Sequence, residues 1–397
     1  MAQTFFQSRG LNLLYSSPIV VDPTAVPVNL TDHLVSWQHT INMDGGFDSA
    51  AFEIEASLRI VEEWLEFGLG RHFVGYSAGY GIVWEGFLNQ IVANVGTISV
   101  TRGPLMNIAN RVSVTYTPYI DVSAAEPTTG TASITTIAEN EESQAKYGIL
   151  EDVVSGGTLM DDATYCGTGC TPTNEAEELR DAYLEENKLP ETSQEFSISQ
   201  ATVPTLTLEC LGYHHWLNKY VYDPAASGTV QIPTKLKAIL AADPNAIFST
   251  NYNNIADAAA YLLLVPAAEE QIRFAKAIID EMVAMGDAND NRTFFAIYED
   301  REAHYSAIPT EVEYYHYVTR QPTQISNIDN NPVMPWQVRP GKWMTMPDFL
   351  PGFKGPAELR FDPRNVLIES VTYQSPLELT LNGKKVSKVS QLLAKRG

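Results

Sequence analysis

Residues 111–117 read Arg-Val-Ser-Val-Thr-Tyr-Thr. Val112, Val114 and Tyr116 alternate with Ser113, Thr115 and Thr117. A period of two marks a strand with one apolar, buried face and one hydroxyl-rich face in water. The same wording extends toward the N-terminus, where Ile82 to Ile91 and Val95 to Thr101 read as strands. The Gly79-Tyr80-Gly81 turn precedes the first of them. One short helix interrupts this block. Ser57 is its N-cap, Leu58, Val61 and Leu65 form its stripe, Ile60 and Trp64 widen it, and Gly68 stops it. Residues 1–120 are therefore expected to form a small β-barrel carrying one helix.

In the other direction the pattern changes. Asp121 to Glu141 is rich in Thr, Ala, Glu and Ser and reads as a surface loop or linker. Asn174 with Glu177 resembles a capping box, ahead of a helix whose Ala176, Leu179, Ala182 and Tyr183 share one face. Thr205 to Cys210 alternates as a strand. Pro233 opens a helix through Leu236, Ile239 and Leu240 that ends at Asp243-Pro244. The longest helix is expected over Glu269 to Met285, with Gly286 as its stop. Thr293 to Tyr298 and Thr310 to Tyr317 read as strands. Val366 to Tyr373 is apolar on both faces, and Leu377, Leu379 and Leu381 alternate into Asn382-Gly383, a hairpin signal. No repeat of fixed period and no heptad run is present. The expected class is α+β and β-rich, with tandem small β-barrel domains at 1–120 and 301–397 around a linker and α/β middle region at 121–300.

Composition narrows the function. The chain has 397 residues, 44% of them hydrophobic and 10% aromatic. That length points to two or three domains, because single cores rarely grow past ~250–300 residues. With 48 Asp+Glu against 26 Lys+Arg the formal charge is −22. Such a field repels phosphates, and no basic stripe offsets it, so sequence-specific nucleic-acid binding is not expected. The longest apolar run, Ala258 to Ala268, is broken by Pro266 and falls short of the ~18 residues of a membrane span. Met1 to Gly10 lacks an apolar signal core, so no secretory leader is expected. Three cysteines argue for reduced thiols and a cytoplasmic site of synthesis.

Several motifs have a chemical and a plain reading. Gly75-Tyr76-Ser77-Ala78-Gly79 matches the nucleophile elbow G-x-S-x-G, which needs the serine on a strand-to-helix turn. The residues after it read as strand, so a hairpin tip is the expectation. Cys166-x3-Cys170 and Cys210-x3-His214 supply four zinc-type ligands, beside His215. A Cys166–Cys170 bridge, or loop and core residues without metal, are the alternatives. Asp287, Asn289 and Asn291 open like a calcium loop, but Arg292 and Tyr298 stand where its glycine and glutamate belong. Glu62/Glu63 and Glu185/Glu186 read as solvated helix faces. Tyr314, Tyr315, His316 and Tyr317 read as packing residues. No Walker loop and no G-x-G-x-x-G occurs. Neither an enzyme nor a cofactor is expected.

Five phrases together resemble virion tail proteins of tailed bacteriophages, of the baseplate-hub or tail-tip type. They are Trp84-Glu85-Gly86-Phe87-Leu88, Asn110-Arg111-Val112-Ser113-Val114-Thr115-Tyr116, Ser143-Gln144-Ala145-Lys146-Tyr147-Gly148-Ile149-Leu150-Glu151, Glu209-Cys210-Leu211-Gly212-Tyr213 and Ile368-Glu369-Ser370-Val371-Thr372-Tyr373. The likeness spans about Thr31 to Tyr373 and lies in strand wording and order. It implies tube-like β-barrel domains in a homo-oligomer, a trimer above all. The ring would have a tail tube or distal tail protein and a tape-measure protein above it, and a tail fibre or receptor-binding protein below. DNA would pass through the lumen. A distal-tail adaptor ring and an envelope-degrading hydrolase using Ser77, or a metal at Cys166, Cys170, Cys210 and His214, are the other readings. Some tail-tip relatives hold a metal cluster through several cysteines, a pattern that three cysteines do not reproduce. For a ring, the net charge leads to one physical expectation: the inward strand faces carry Asp, Glu, Ser and Thr, since an inward Lys or Arg would brake the passing DNA. The basic tail, Lys384, Lys385, Lys388, Lys395 and Arg396, is either a docking segment for an acidic neighbouring copy or a solvated face.

Overall fold

The computed structural model describes residues 11–77, 80–121, 128–160, 174–196, 203–224, 227–268, 272–319, 324–348, 365–375 and 378–383. The architecture is α+β and β-rich. The main strands are β1 Asn12–Ser16, β2 Leu34–Asn42, β3 Gly45–Glu55, β4 His72–Ser77, β5 Gly81–Val95, β6 Ile98–Arg102, β7 Arg111–Asp121, β8 Glu151–Leu159, β9 Thr192–Phe196 and β10 Thr205–Leu211. After them come β11 Thr293–Ile297, β12 Ala303–Ala307, β13 Val312–Tyr317, β14 Gln324–Asn327, β15 Trp343–Thr345, β16 Asn365–Gln374 and β17 Glu378–Gly383. The helices are α1 Leu58–Phe67, α2 Glu141–Tyr147, α3 Glu175–Asn187, α4 Ile232–Ala241 and α5 Ala275–Met285.

One large sheet draws on all three stretches of the chain. Its backbone is an antiparallel run of eight strands, β9-β6-β5-β10-β3-β2-β16-β17. Strand β10, from the middle of the chain, lies between β5 and β3, and β16, from near the C-terminus, pairs with β2. The β-rich ends therefore share a sheet, and no closed barrel is present among the described residues. Sequence periodicity reports which face of a strand is buried but not which distant strand lies beside it, which is why this sharing is invisible locally.

Alternation along these strands separates two faces. Tyr373, His39, Ala50, Cys210 and Leu88 stand in one cross-strand row, all buried. Trp37, Phe52, Leu208 and Ile91 form the next row on that side. Helix α1 lies in this core through Val61 and Trp64, whose ring is 5.9 Å from Phe73 and 5.0 Å from Tyr15. Burying such side chains contributes about 1.5–3 kcal/mol each. At the end of α1, an added Cβ on Gly68 would come within 2.7 Å of Ile91 Cδ1, so only glycine lets the helix end there.

A second sheet is built on β7. Strand β8 pairs with it in parallel, while Thr128–Thr129, Ser133–Ile134 and Ala138–Glu139 pair with it antiparallel. The segment expected as a loop over 121–141 thus supplies short edge strands where it is described. Ser113, expected on the wet face of β7, is buried. Helix α3 covers this sheet by packing Ala176 and Leu179 on Val114 and Tyr116. Its cap forms as the spacing predicts, with Glu177 N donating to Asn174 Oδ1 at 3.1 Å.

Two expectations about elements change. Residues 269–271 lie outside the described residues, and helix α5 begins at Ala275, because Phe274 is bridged to Val221 and Arg273 O accepts from Tyr222 N. At 11 residues it is shorter than α3, with 13. Asn382-Gly383 does not turn a hairpin. Asn382 pairs with Ser370 and Gly383 with Ile368, so the turn joining β16 to β17 lies before β17.

Candidate functional site

The opposite face of the eight-stranded run is polar. Gln374, Gln38, Ala51, Glu209 and Gln90 stand in one cross-strand row. Ser36, Glu53, Thr207, Val92, Thr101 and Ser193 form a second. Glu55, Thr205, Asn94, Ser99 and Glu195 form a third. Ser36 donates to Glu53 Oε2 at 2.8 Å, which ties two neighbouring strands on the surface. Strands β2, β3, β5, β9, β10, β16 and β17 contain no Lys or Arg. The single lysine or arginine of the run, Arg102 in β6, stands opposite buried Ile91 and so in the core-facing row. The result is a broad carboxylate, amide and hydroxyl surface without a cation in its rows. Its outer strands, β9 and β17, have no further strand partner among the described residues, and all five residues of β9 are exposed.

The sequence motifs fall elsewhere. Ser77 ends β4, Tyr80 N donates to Ser77 O at 3.2 Å, and the chain returns as β5 with Gly81 opposite Ser77. Strand–turn–strand gives Ser77 no helix N-terminus behind it, so the elbow geometry is absent. Cys166 and Cys170 lie outside the described residues, as does the basic tail from Lys384. Cys210 is buried in the core row, Sγ 3.9 Å from Leu208 O, and burial pushes its thiol pKa up.

His214 keeps different company from the cysteines. Its Nδ1 meets Phe47 O at 3.0 Å, and its Nε2 is 3.6 Å from Asp48 Oδ1. His215 Nε2 is 3.0 Å from the same oxygen. One donor atom from each of Asp48, His214 and His215 lies within 4.8 Å of the other two, and Cys210 is not part of the group. Burial, reinforced by His215, lowers the His214 pKa to about 3. Although burial opposes it, the hydrogen bond and charge of His215 hold Asp48 below the usual carboxylate range. Position matters here: β3 carries Phe47 and Asp48, and the 3-10 turn Tyr213–Asn218 after β10 carries the two histidines. Gly212 N donates to Asp48 O at 2.7 Å. An added Cβ on Gly212 would sit 1.6 Å from Phe47 O, so glycine is what lets the turn close on β3. Sequence reasoning missed Asp48, which is 166 positions from His214 and carries no local signal.

Two further polar groups sit in the core. Glu85 accepts from Arg301 Nη1 at 3.1 Å and lies 3.6 Å from His72 Nε2, while His72 Nδ1 meets Tyr213 OH at 2.8 Å. Burial pushes Glu85 up to about 7 against the pull of Arg301, and burial with Arg301 lowers His72 to about 4. His39 is enclosed by Trp37, Trp336 and Tyr373 with ring centroids 5.0–5.7 Å away, and neither ring nitrogen has a hydrogen-bond partner among the described residues. Burial, then Arg339, lowers its pKa to about 3.

The calcium-like loop is closed by its own backbone: Asp287 Oδ1 accepts from Asn289 N and Asn291 N at 2.9 and 2.8 Å. Tyr314 is buried and donates to Gln337 O at 2.8 Å, a packing role. Glu185 and Glu186 lie on the exposed arc of α3, where Glu185 pairs with Lys188. Among the described residues, no helix is long and apolar enough to cross a membrane. The chain matches no protein-family model and no curated protein.

Proposed function

We propose that this protein is a structural component of a bacteriophage tail, forming a ring of copies at the distal end of the tube through which DNA leaves. The observation that carries the reading is the base-free polar face of an antiparallel run open at both edges. Edge β9 of one copy pairs with edge β17 of the next, continuing the sheet as a wall. The polar face turns inward and the core face, with α1, turns outward. The tube-like barrel expected from the sequence is then a property of the assembly.

Strand geometry requires more than one copy around an open bore, and three copies meet it. One copy closing on itself would give eight strands, whose interior is filled by side chains. Three give a ring of about 24 strands, beyond the ~16–18 that already leave an aqueous channel. At ~4.8 Å per strand the wall measures roughly 115 Å around before tilt widens it. Charge supports the pairing too. Glu191 and Glu195 lie at β9, and Lys384 and Lys385 follow β17 directly in sequence. A lumen of carboxylates and hydroxyls repels phosphate from every side, so the genome slides without being held. The ring adjoins a tube or distal-tail protein with the tape measure on one side and fibre or receptor-binding proteins on the other.

The test is the solution mass of the purified chain with immunolabelling of virions. The reading expects a species of three times 43.9 kDa and label at the distal tail tip. A monomer at every concentration, with no label on particles, would overturn it.

A further inference from the structure

We propose that Asp48, His214 and His215 form a binding site for a single divalent transition metal of the zinc type, which pins the 213–218 turn to strand β3. The donor set is two imidazoles and one carboxylate, the hard-to-borderline mixture that zinc accepts. The two carboxylate–imidazole distances already fit. Tetrahedral zinc with bonds of ~2.0–2.1 Å holds its ligands roughly 3.3 Å apart; Asp48 Oδ1 lies 3.0 Å from His215 Nε2 and 3.6 Å from His214 Nε2.

Orientation is built in as well. Phe47 O lies 3.0 Å from His214 Nδ1, so with that nitrogen donating to the carbonyl, Nε2 presents a bare lone pair. Metal-ligating histidines are commonly oriented by such a bond from the second nitrogen. Gly45 keeps the ground beside Nε2 clear, since an added Cβ there would lie 2.8 Å from it. The ion has a way in, because His215 and Asp48 are partly exposed while His214 is buried. One opposing charge, Lys276 of α5, acts on His214, but its ammonium is paired with Asp280 at 2.5–2.6 Å. Three protein ligands leave a fourth position for water.

The experiment is equilibrium dialysis of the full chain against Zn2+ with metal analysis, repeated with Co2+ for its absorption spectrum. The site expects one ion per chain, removed by chelator, a thermal midpoint that rises with Zn2+, and a Co2+ spectrum without a thiolate charge-transfer band. Asp48→Asn and His215→Gln, whose side chains are not fully buried, should each weaken binding by more than roughly tenfold with the fold intact by circular dichroism. The Cys166→Ser/Cys170→Ser/Cys210→Ser variant should bind as the parent does. Absence of stoichiometric zinc, binding unchanged in Asp48→Asn and His215→Gln, or binding lost in the cysteine variant would each overturn the proposal.

Discussion

Thr40 and Thr372 are 332 positions apart in the chain, yet their hydroxyl oxygens meet at 3.0 Å on the polar face of the sheet. Strands from near both ends of the chain are thus sewn together on the surface proposed to line a lumen. The contact is worth only about 1 kcal/mol. Its interest lies in what stands around it: hydroxyls, amides and carboxylates in successive rows, with lysine and arginine excluded from them.

Placing lysine in those rows should leave the fold alone and change what the surface does. Gln38→Lys with Thr207→Lys and Glu209→Lys are exposed or half-buried changes, each expected within about 0.5 kcal/mol of neutral. The parent should not retain duplex DNA in a low-salt gel-shift assay. The triple variant should, with an affinity that falls as salt rises, by a slope of about 0.9 per phosphate neutralised.

Edge pairing is open to a proline test. Ser193 and Gln194 are successive residues of β9, so one N–H faces β6 and the other faces outward. Proline at the inward position should lower the thermal midpoint by removing a ladder bond. At the outward position it should leave the midpoint nearly unchanged and reduce assembly of copies, read as solution mass. Equal assembly by both variants would contradict pairing through β9.

Buried histidines set the acid limit. The folded pKa values of His39 and His72, about 3 and about 4, lie below the unfolded value of 6.5. Between those values the unfolded chain binds more protons. Their contribution is therefore complete above pH 6.5 and is lost as pH falls toward 4 and then 3. Denaturant titrations across that range should show a loss of a few kcal/mol, and His39→Phe should flatten the dependence from pH 6.5 down to about 3.

Glu85 acts with the opposite sign. Its folded pKa of about 7 lies above the unfolded 4.5, so the folded state holds the extra proton. Its contribution is full below pH 4.5 and is lost as pH rises through 7. Glu85→Gln should therefore make stability climb more steeply with pH between 4.5 and 7. An unchanged slope would show that the Arg301 pair keeps the carboxylate ionised throughout.

Asn110 ties the entry to β7 to helix α2 and to the entry of β8. Fully buried, it donates through Nδ2 to Ser143 Oγ and Gly148 O at 3.2 and 2.8 Å and accepts from Leu150 N at 2.8 Å. Asn110→Ala strands a buried N–H and a carbonyl. It should cost about 2–4 kcal/mol by chemical denaturation.

What was legible in the sequence follows from range. Helix α1 runs between Ser57 and Gly68 as expected, although the Ser57 side chain makes no capping bond, and Asn174 caps α3, because end signals act within four residues. Alternation in β10 correctly separated Leu206, Leu208 and Cys210 from Thr205, Thr207 and Glu209. Pairing was not legible: nothing local in β10 says that it enters between β5 and β3, and nothing in β16 says that it joins β2. The polar face shows itself only once those registers align Gln38, Ala51 and Glu209. The Asp48–His214–His215 group escaped for the same reason, although His214 drew notice through its spacing from Cys210. The start of α5 was misplaced because tertiary bridging of Phe274 to Val221 overrides a favourable helical period.

A three-dimensional reconstruction of the intact tail tip tests the central claim most directly. The account predicts a closed wall in which β9 of each copy hydrogen-bonds to β17 of the next, with Gln38, Glu53, Thr207 and Glu209 facing the bore. Density showing that face turned outward, or a bore lined by lysine and arginine, would contradict it.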